Sequence, residues 1–275
     1  MNTTIFDISR NSFVDGPGIR TTVFFKGCNL KCKWCHNPES QAFQKQMLFY
    51  KNKCTGCGKC AEICPNNLKN CDFCEKCTFY CPAGARNICG KEYTEDELLE
   101  EILKDKIFYE TSGGGVTFSG GECMLRIDFL EEILKKCKSA GVHTAVDTAG
   151  NVPFEYFEKI MPYTDMFLYD IKAFSDDLHI EGTGVSNKRI LENLKKLSAV
   201  FKGDIMIRIP VIPGYNDSAD EMKKISDFVK TLNVKETELM PYHKLGEHKY
   251  EALEMAMTEY QVPSEERINE LKKLF

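Results

Sequence analysis

The sequence contains no long apolar segment and no excess of charge of one sign. No apolar run reaches the roughly 18 residues that a membrane-spanning helix needs, and the N-terminus is not a basic segment followed by an apolar one. The formal net charge of -5 is spread along the chain, so nothing in it indicates binding to nucleic acid or to an anionic membrane. We therefore expect a cytoplasmic protein whose partners include neither.

Cysteine, in contrast, is abundant. Fourteen of the 275 residues are cysteines, and eleven of them fall in three tight groups. In a small secreted chain this number would indicate disulfides, but the spacing within the groups is that of metal ligands. We expect a reducing compartment and, because exposed iron–sulfur clusters are sensitive to oxygen, an anaerobic host.

The first group is Cys28-Asn-Leu-Lys-Cys32-Lys-Trp-Cys35, which follows a β-rich run at residues 21–26. The end of a buried strand is where α/β folds build their sites. Three thiolates leave one iron of a four-iron cluster without a protein ligand, and an open metal position can bind a substrate. A zinc site completed by His36 is the alternative.

This group and its flanks resemble the radical S-adenosylmethionine enzymes, whose signature is CxxxCxxC, and among them the activating enzymes of glycyl radical enzymes. The similar flanks are Asp15-Gly-Pro-Gly-Ile-Arg-Thr-Thr-Val-Phe24 and Trp34-Cys-His-Asn-Pro-Glu39. The resemblance implies that Cys28, Cys32 and Cys35 form the catalytic centre. They would hold a [4Fe-4S] cluster whose open iron binds S-adenosylmethionine.

The reaction that this resemblance implies is the activation of another enzyme. One electron from the cluster cleaves S-adenosylmethionine to methionine and a 5′-deoxyadenosyl radical. The radical then removes an α-hydrogen from one glycine of a partner glycyl radical enzyme. The protein contributes binding, orientation and exclusion of water, while the cluster and the cofactor supply the chemistry.

The other two groups of cysteines form a repeat. The motif C-x2-C-x2-C-x3-C-P begins once at Cys54 and again at Cys71. The same run occurs in bacterial two-cluster ferredoxins, where the fourth cysteine of each run ligates the other cluster. By that rule, two auxiliary [4Fe-4S] clusters are ligated by Cys54, Cys57, Cys60 and Cys81 and by Cys71, Cys74, Cys77 and Cys64.

The auxiliary clusters would relay electrons. Only six residues separate Cys64 from Cys71, which predicts that the clusters are crowded or that one is incomplete. An external donor, a reduced flavodoxin or ferredoxin, would pass an electron through them to the first cluster. Two structural zinc knuckles are the alternative. Cys89 lies outside the pattern, and we interpret it as a small packing residue.

Strand and helix patterns alternate through the rest of the chain. Strands are expected at residues 21–26, 115–119, 142–147, 166–171, 205–211 and 236–240, with an edge strand at 4–8. Capping boxes at Thr94-x-x-Glu97 and Ser218-x-x-Glu221 open two of the helices between them. Six βα units predict a mostly parallel sheet and are too few for a closed eight-stranded barrel. The resemblance implies a partial (β/α)6 TIM-like barrel, with residues 1–49 and 88–275 in the barrel and residues 50–87 in a ferredoxin-like insert.

Motifs at the ends of the predicted strands carry the residues that the resemblance assigns to S-adenosylmethionine. The tetrad Ser119-Gly-Gly-Glu122 binds the amino group in the family, although a tight turn would also explain it. Asp170 and Lys172 point to the same face of their strand. Lys172 would hold the carboxylate and ribose, and Asp170 would orient it or bind a monovalent cation; a solvated salt bridge is the alternative. The expected cofactor-binding residues are Trp34, Cys35, His36, Ser119, Gly120, Gly121, Glu122, Asp147, Thr148, Asp170, Ile171, Lys172, Arg208 and His243.

Three further side chains belong to this expected site. Arg208 lies within an apolar strand, where a charge needs a partner. We expect that partner to be the carboxylate or ribose of the cofactor, with a buried carboxylate as the alternative. His243, in the motif after the last strand, would contact the adenosine, and Trp34 and His36 would line the adenine side.

Two segments are expected, by resemblance, to grip the glycyl loop of the partner enzyme. Their residues are Asp15, Gly16, Gly18, Arg20, Gly182, Thr183, Gly184 and Asn187. The alternative for the second segment is an ordinary loop with a helix cap at Ser186. Residues 120–125 and 147–153 look most like the activases of hydroxyproline dehydratases, with activases of other dehydratases, decarboxylases or C–N and C–S lyases as alternatives. Two other classes remain open: a radical enzyme that acts on a small molecule, and an iron–sulfur electron carrier.

Overall fold

The computed structural model describes all 275 residues and contains ten β-strands. They are β1 (Asn2–Ser12), β2 (Arg20–Phe25), β3 (Gln46–Phe49), β4 (Arg86–Cys89), β5 (Lys91–Thr94), β6 (Gly115–Gly120), β7 (His143–Thr148), β8 (Met166–Asp170), β9 (Asp204–Val211) and β10 (Glu236–Pro241). Eight of them form one sheet in the order β10-β9-β8-β7-β6-β2-β1-β5. β3 and β4 pair in a separate two-stranded sheet.

Eleven α-helices connect or follow these strands. They are α1 (Lys59–Ile63), α2 (Lys76–Phe79), α3 (Glu95–Leu103), α4 (Lys106–Ser112), α5 (Ile127–Ser139), α6 (Phe154–Ile160), α7 (Asp176–Thr183), α8 (Lys188–Val200), α9 (Ala219–Val229), α10 (Glu247–Ala252) and α11 (Glu265–Lys272). None of them combines the length and the apolar character that crossing a membrane would require.

Six strands of the large sheet, β2 and β6 to β10, are parallel to one another. They are the six strands predicted from the sequence, because continuous apolar runs mark strands that are buried on both faces. The outermost strands, β10 and β5, do not pair with each other, so the sheet is open. The prediction of a mostly parallel α/β sheet is therefore confirmed, and the open sheet is consistent with a partial barrel.

The large sheet curves around a central space. β2 and β9 are four steps apart, which would separate them by about 19 Å in a flat sheet with strands about 4.8 Å apart. Nevertheless, Oδ1 of Asp15, just before β2, lies 3.6 Å from Nη1 of Arg208 on β9. Asp15 enters the concave side, where its side chain and backbone oxygens accept hydrogen bonds from Thr22 and Thr117. The ends of the parallel strands therefore face one common space.

The N-terminal strand differs from its prediction. β1 is eleven residues long and pairs antiparallel with both β2 and β5, so it is an inner strand and β5 is the edge. The prediction of an edge strand at residues 4–8 was wrong in length and in position. Register shifts between Ile5 and Asp7 and between Ser9 and Ser12 interrupt the alternation that would have revealed the full strand.

Helices cover the outer face of the sheet and bury its apolar side chains. Phe25, Phe118 and Phe129 pack with ring centroids 6.0 to 6.3 Å apart, in a core of 38 buried residues. The capping box at Thr94 and Glu97 is formed in both directions at the start of α3. The second predicted box is only half formed, as described for the site below.

The chain between β3 and β4 has little regular structure. β3 and β4 form an antiparallel ladder that extends from the pair Gln46–Cys89 to the pair Phe49–Arg86. Between them lie a 3-10 turn at Lys51–Lys53 and the short helices α1 and α2, which contact each other. All eight cysteines of the repeated motif lie in this stretch, which the ladder brackets at both ends.

Candidate active site

A cavity of about 440 Å³ lies at the carboxyl ends of the parallel strands. A smaller cavity of about 100 Å³ adjoins it and shares Cys32, Cys35 and Lys172 with its lining. Twelve of the fourteen residues that the sequence assigns to the cofactor line these two cavities. They are Trp34, Cys35, His36, Ser119, Gly120, Gly121, Asp147, Thr148, Asp170, Lys172, Arg208 and His243.

Cys28, Cys32 and Cys35 all border the smaller cavity, whereas His36 borders only the larger one. No three His, Cys, Asp or Glu side chains converge on a position that would hold a single metal ion. Burial raises the pKa of the Cys28 and Cys32 thiols to about 12, so thiolates here need bound metal to balance their charge. Three sulfurs around a cavity fit a four-iron cluster with one open iron.

The tetrad that follows β6 packs directly against the segment that leads to Cys28. A Cβ atom added to Gly121 would lie 2.3 Å from the carbonyl oxygen of Gly27. The backbone N–H of Glu122 donates to the same oxygen at 2.8 Å. Gly120 has φ +114°, a conformation that favours glycine. These contacts fix the position of the cysteine loop relative to the end of β6.

Glu122 does not line either cavity. Its buried carboxylate accepts hydrogen bonds from the Thr148 hydroxyl at 2.8 Å and from the backbone N–H groups of Ala149 and Met124 at 3.0 and 3.2 Å. It thereby ties the loop after β6 to the end of β7. Burial raises the pKa of Glu122 to about 7. Within the tetrad, Ser119, Gly120 and Gly121 line the cavities where a ligand would bind, and Glu122 does not.

Charged side chains of both signs surround the middle of the larger cavity. Nζ of Lys172 lies 2.8 Å from Oδ2 of Asp170. Burial lowers the pKa of Lys172, but the neighbouring carboxylate of Asp170 raises it by more. The pKa of Lys172 therefore lies above its usual value. Asp147 accepts from Ser119 at 2.6 Å and lies 3.4 Å from Arg208, while its Oδ1 is buried without a partner. Burial raises the pKa of Asp147 to about 6. The unpaired oxygen can accept a hydrogen bond from an ammonium or hydroxyl group of a ligand.

Arg208 already has carboxylate partners within the protein, which was the alternative to a cofactor partner. Its guanidinium lies between Asp147 and Asp15, 3.4 and 3.6 Å away, and Glu238 is 3.8 Å away. Nε also lies 3.1 Å from the sulfur of Met240. The arginine therefore has carboxylates around it and can still face a ligand from the cavity wall.

One end of the larger cavity is aromatic. The His36 and His243 rings stack with centroids 4.0 Å apart and planes at 15°, and Tyr242 stacks on His36 at 5.3 Å. Burial and the neighbouring His243 lower the pKa of His36 to about 4, so its ring is neutral at pH 7. Trp34 packs against Tyr215 at 4.3 Å. Tyr215 lines neither cavity but supports Trp34 from behind, and the sequence of its loop has no pattern that predicts this contact.

The cysteine loop is also held by the distant C-terminal part of the chain. Tyr250 on α10 donates to the carbonyl oxygen of Cys35 at 2.9 Å, across a separation of 215 residues. Nζ of Lys249 lies 2.6 Å from Oε1 of buried Glu39 and 2.8 Å from Oδ1 of Asn37. The loop that carries the three cysteines is therefore complete only when α10 has docked.

Glu221, which was expected to complete a capping box, positions the loop after β8 instead. Ser218 caps the backbone of Glu221, as predicted. However, the Glu221 carboxylate is buried and accepts from the backbone N–H groups of Phe174 and Ser175 at 2.6 and 2.9 Å. This contact secures the turn that follows Lys172.

Some predicted site residues lie away from any accessible surface. Ile171 belongs to the apolar core, because alternate residues of this strand segment face the helices. Four residues predicted to contact a partner are buried: Arg20, Gly182, Thr183 and Asn187. They cannot touch a partner directly in this conformation, which corrects that part of the prediction. Arg20 instead donates to Thr117 and to the carbonyl of Val116, at the opposite end of β2 from the cavity.

The segment after β8 is helical and not a loop. α7 spans Asp176–Thr183, and Gly184 ends it with φ +80°. Ser186 is not the residue that caps α8; Asn187 holds that position, and the Ser186 hydroxyl donates to Asp176 at 2.7 Å. Gly184 is exposed, so part of this segment remains available to a partner.

The repeated cysteine motif folds into two separate groups. Cys54, Cys57, Cys60 and Cys81 border one small cavity, and Cys64, Cys71, Cys74 and Cys77 border another. Each group takes three cysteines from one run and one from the other. All fourteen cysteines of the chain are free thiols.

Comparison with known proteins identifies the class. Residues 59–229 match the radical SAM superfamily, and residues 47–70 match a 4Fe-4S binding domain. The first match begins after Cys35, whereas the alignment with the curated relative described next extends over the whole chain. A radical SAM methyltransferase from Sphaerobacter thermophilus superposes over 99% of this chain and 74% of its own with a TM-score of 0.61 and 13% identity, which supports the fold alone.

Curated relatives narrow the class further. The chain is 48% identical to the trans-4-hydroxy-L-proline dehydratase activating enzyme of Clostridioides difficile, over 100% of this chain and 96% of the relative. It is 42% identical to the choline trimethylamine-lyase activating enzyme of Oleidesulfovibrio alaskensis, over 90% of this chain and 86% of the relative. This chain is a radical SAM enzyme. Within that superfamily it belongs to the activating enzymes of glycyl radical enzymes, which cleave S-adenosylmethionine at a [4Fe-4S] cluster to generate a glycyl radical.

Gly121→Ala is expected to displace the cysteine loop, because the added Cβ would collide with the carbonyl oxygen of Gly27. Anaerobically reconstituted protein should lose most of the electron paramagnetic resonance (EPR) signal that responds to S-adenosylmethionine, with a native far-UV circular dichroism spectrum. Gly141→Ala is the control: Gly141 has a positive φ of 72°, but nothing lies within 4 Å of the added atom. If Gly121→Ala kept a native EPR signal that still responds to S-adenosylmethionine, the proposed collision with the carbonyl oxygen of Gly27 would be contradicted.

Proposed function

We propose that this chain activates a trans-4-hydroxy-L-proline dehydratase. The supporting observation is the 48% identity over the entire chain to an activase of that enzyme, against 42% over 90% of the chain for the choline trimethylamine-lyase activase. The motifs at residues 120–125 and 147–153, which lie in and beside the cavities, also resemble those activases. An activase of another dehydratase, a decarboxylase or a C–N or C–S lyase is the alternative.

Cys28, Cys32 and Cys35 are proposed to hold the catalytic [4Fe-4S] cluster. In support of this, all three border one cavity, and that cavity shares part of its lining with the larger one. When bound, the reduced cluster supplies the electron that cleaves the cofactor. The contribution of the chain is to fix the three sulfurs through Gly27, Gly121 and the α10 contacts.

S-adenosylmethionine is proposed to occupy the larger cavity, whose charged and aromatic regions match the two halves of the molecule. The amino-acid half carries charges of both signs, and the unpaired Oδ1 of Asp147 and the ammonium of Lys172 are present to meet them. Asp170 orients Lys172 at 2.8 Å, or shares its carboxylate with a monovalent cation. The adenosine half suits the His36 and His243 end of the cavity, where aromatic faces can pack on a purine.

Residues 50–87 are proposed to form a ferredoxin-like insert with two auxiliary [4Fe-4S] clusters, and the remaining residues the radical SAM barrel. The grouping of the eight cysteines around two cavities, each with a member from the other run, supports this division. A reduced flavodoxin or ferredoxin is the proposed donor to the insert. Two zinc knuckles would draw their ligands from the same residues, and iron analysis would distinguish the two. Because these clusters need a reducing compartment, a cytoplasmic location is part of the proposal.

The partner is proposed to contact Gly16, Gly18 and Gly184, with Asp15 at the edge of the larger cavity. Asp15 lines that cavity, and the neighbouring side chain of Val14 is 68% exposed, so this loop connects the site with the surface. Buried Arg20, Gly182, Thr183 and Asn187 would hold the two segments in shape. A glycine loop of the partner could then approach the cavity from this side, which a small-molecule substrate would not require.

Lys172→Met is expected to weaken binding of S-adenosylmethionine by at least tenfold, about 1.4 kcal/mol, because it removes the cavity ammonium and leaves the partly buried Asp170 without its partner. Binding would be measured anaerobically by isothermal titration with cluster-loaded protein. Lys138→Met, at a half-exposed surface ion pair with Asp165, serves as the control and should bind like the native protein. Equal affinities in the native protein and in Lys172→Met would rule out this role of Lys172.

Cys35→Ala is expected to abolish formation of 5′-deoxyadenosine from S-adenosylmethionine under a strong reductant in anaerobically reconstituted protein. Cys137→Ala is the matched control, because Cys137 is a buried packing residue of α5 and lines neither cavity. It should keep native turnover. Product formation by Cys35→Ala at the native rate, or none by fully loaded native protein, would disprove the assignment of the catalytic cluster.

The choice of partner can be tested with two glycyl radical enzymes. We expect the glycyl radical EPR signal to develop at least tenfold faster on a trans-4-hydroxy-L-proline dehydratase than on a choline trimethylamine-lyase, at equal concentrations. Both partners should first be shown to accept a radical from their own activases. A faster reaction with the lyase, or equal rates, would refute the proposed partner while leaving the activase family intact.

A further inference from the structure

Arg86 has an unusual position among the cysteines of the insert. It is the first residue of β4 and pairs with Phe49 of β3, at the inner end of the ladder. Its side chain borders both cysteine cavities, the one with Cys54, Cys57, Cys60 and Cys81 and the one with Cys64, Cys71, Cys74 and Cys77. It is the one residue that the two linings share.

The guanidinium of Arg86 is partly buried and has no carboxylate partner. Its Nε is buried and has no hydrogen-bond partner, and the group packs over the Phe49 ring with Cζ 4.6 Å from the centroid. Arg86 takes part in none of the salt bridges of the molecule. A partly buried charge with a buried, unpaired Nε favours an anion beside it, so its surroundings are expected to contain one once the protein is loaded.

A [4Fe-4S] cluster with four thiolate ligands is such an anion. Its net charge is negative, and each reduction makes it more negative by one. Two such clusters in neighbouring cavities repel each other, and the repulsion is greatest when both are reduced. Potentials of iron–sulfur clusters respond to nearby charge and to hydrogen bonds on their sulfurs.

We propose that Arg86 is the shared counter-charge of the two auxiliary clusters, so that both can be reduced in turn. The inference rests on the proposed function of residues 50–87. The guanidinium has several donors in a planar fork, which allows one side chain to serve two cavities at once. It raises the reduction potential of each cluster by favouring the more negative state. It also lowers the penalty for placing a second electron next to the first.

The test is a redox titration of the auxiliary clusters, followed by EPR, in the full chain. Cys28→Ala, Cys32→Ala and Cys35→Ala are introduced together so that only the auxiliary clusters remain, and iron is counted first. Arg86→Gln is then expected to lower both potentials, each by an amount that changes the ratio of oxidised to reduced cluster about tenfold at fixed ambient potential. For a one-electron couple this is about 59 mV. The two potentials should also move further apart.

Lys59→Gln is the matched control, since Lys59 borders the Cys54 cavity and not the other. It should shift one potential at most. Arg86→Lys keeps the charge and is expected to restore both potentials most of the way. If Arg86→Gln loses its clusters, Arg86→Lys becomes the test. Retention of both clusters by Arg86→Lys, with near-native potentials, would then support the proposal.

Several outcomes would overturn the inference. The inference is wrong if Arg86→Gln keeps both native potentials, or if only one of them shifts. It is also wrong if the potentials of Arg86→Lys fall as far as those expected for Arg86→Gln. A native chain that takes up no auxiliary iron would refute the insert clusters themselves, and this inference with them. Iron content therefore separates failure of the proposed insert from failure of the role of Arg86.

Discussion

The contact of Arg208 with Asp15 and Asp147 is the interaction on which the shape of the site depends. It joins the loop before β2 to strands β7 and β9 across the concave side of the sheet, with separations of 3.4 and 3.6 Å. Ion pairs at an exposed surface contribute little, but here both carboxylates and the guanidinium are largely buried. The curved sheet holds these groups together, and they in turn line the cavity whose volume the curvature creates.

The two ends of the site are built on different principles. At the cysteine end, backbone contacts at Gly27 and Gly121 leave no room for adjustment, as a rigid metal ligand set requires. At the other end, the stacked rings of His36, His243 and Tyr242 offer broad faces with few directional contacts. A ligand with a chelating, charged head and a flat aromatic tail satisfies both, and S-adenosylmethionine has this form.

The parallel strands and the cysteine groups could be read from the sequence because each depends on local pattern. An apolar run defines a buried strand, and fixed spacing defines a ligand set. The length of β1, the edge strand β5 and the carboxylates around Arg208 could not be read in this way. They depend on which distant segments pair or meet. Glu122 and Glu221 illustrate the same limit: both occupy recognisable motifs, but their carboxylates bond to backbone N–H groups of other loops.

The docking of α10 on the cysteine loop has a consequence for the order of biosynthesis. During translation the three cysteines leave the ribosome more than 200 residues before Tyr250 and Lys249, which hold the backbone around them. Until then the loop lacks its final anchors. The segment that carries the three cysteines therefore reaches its final geometry only when almost the whole chain has been synthesised.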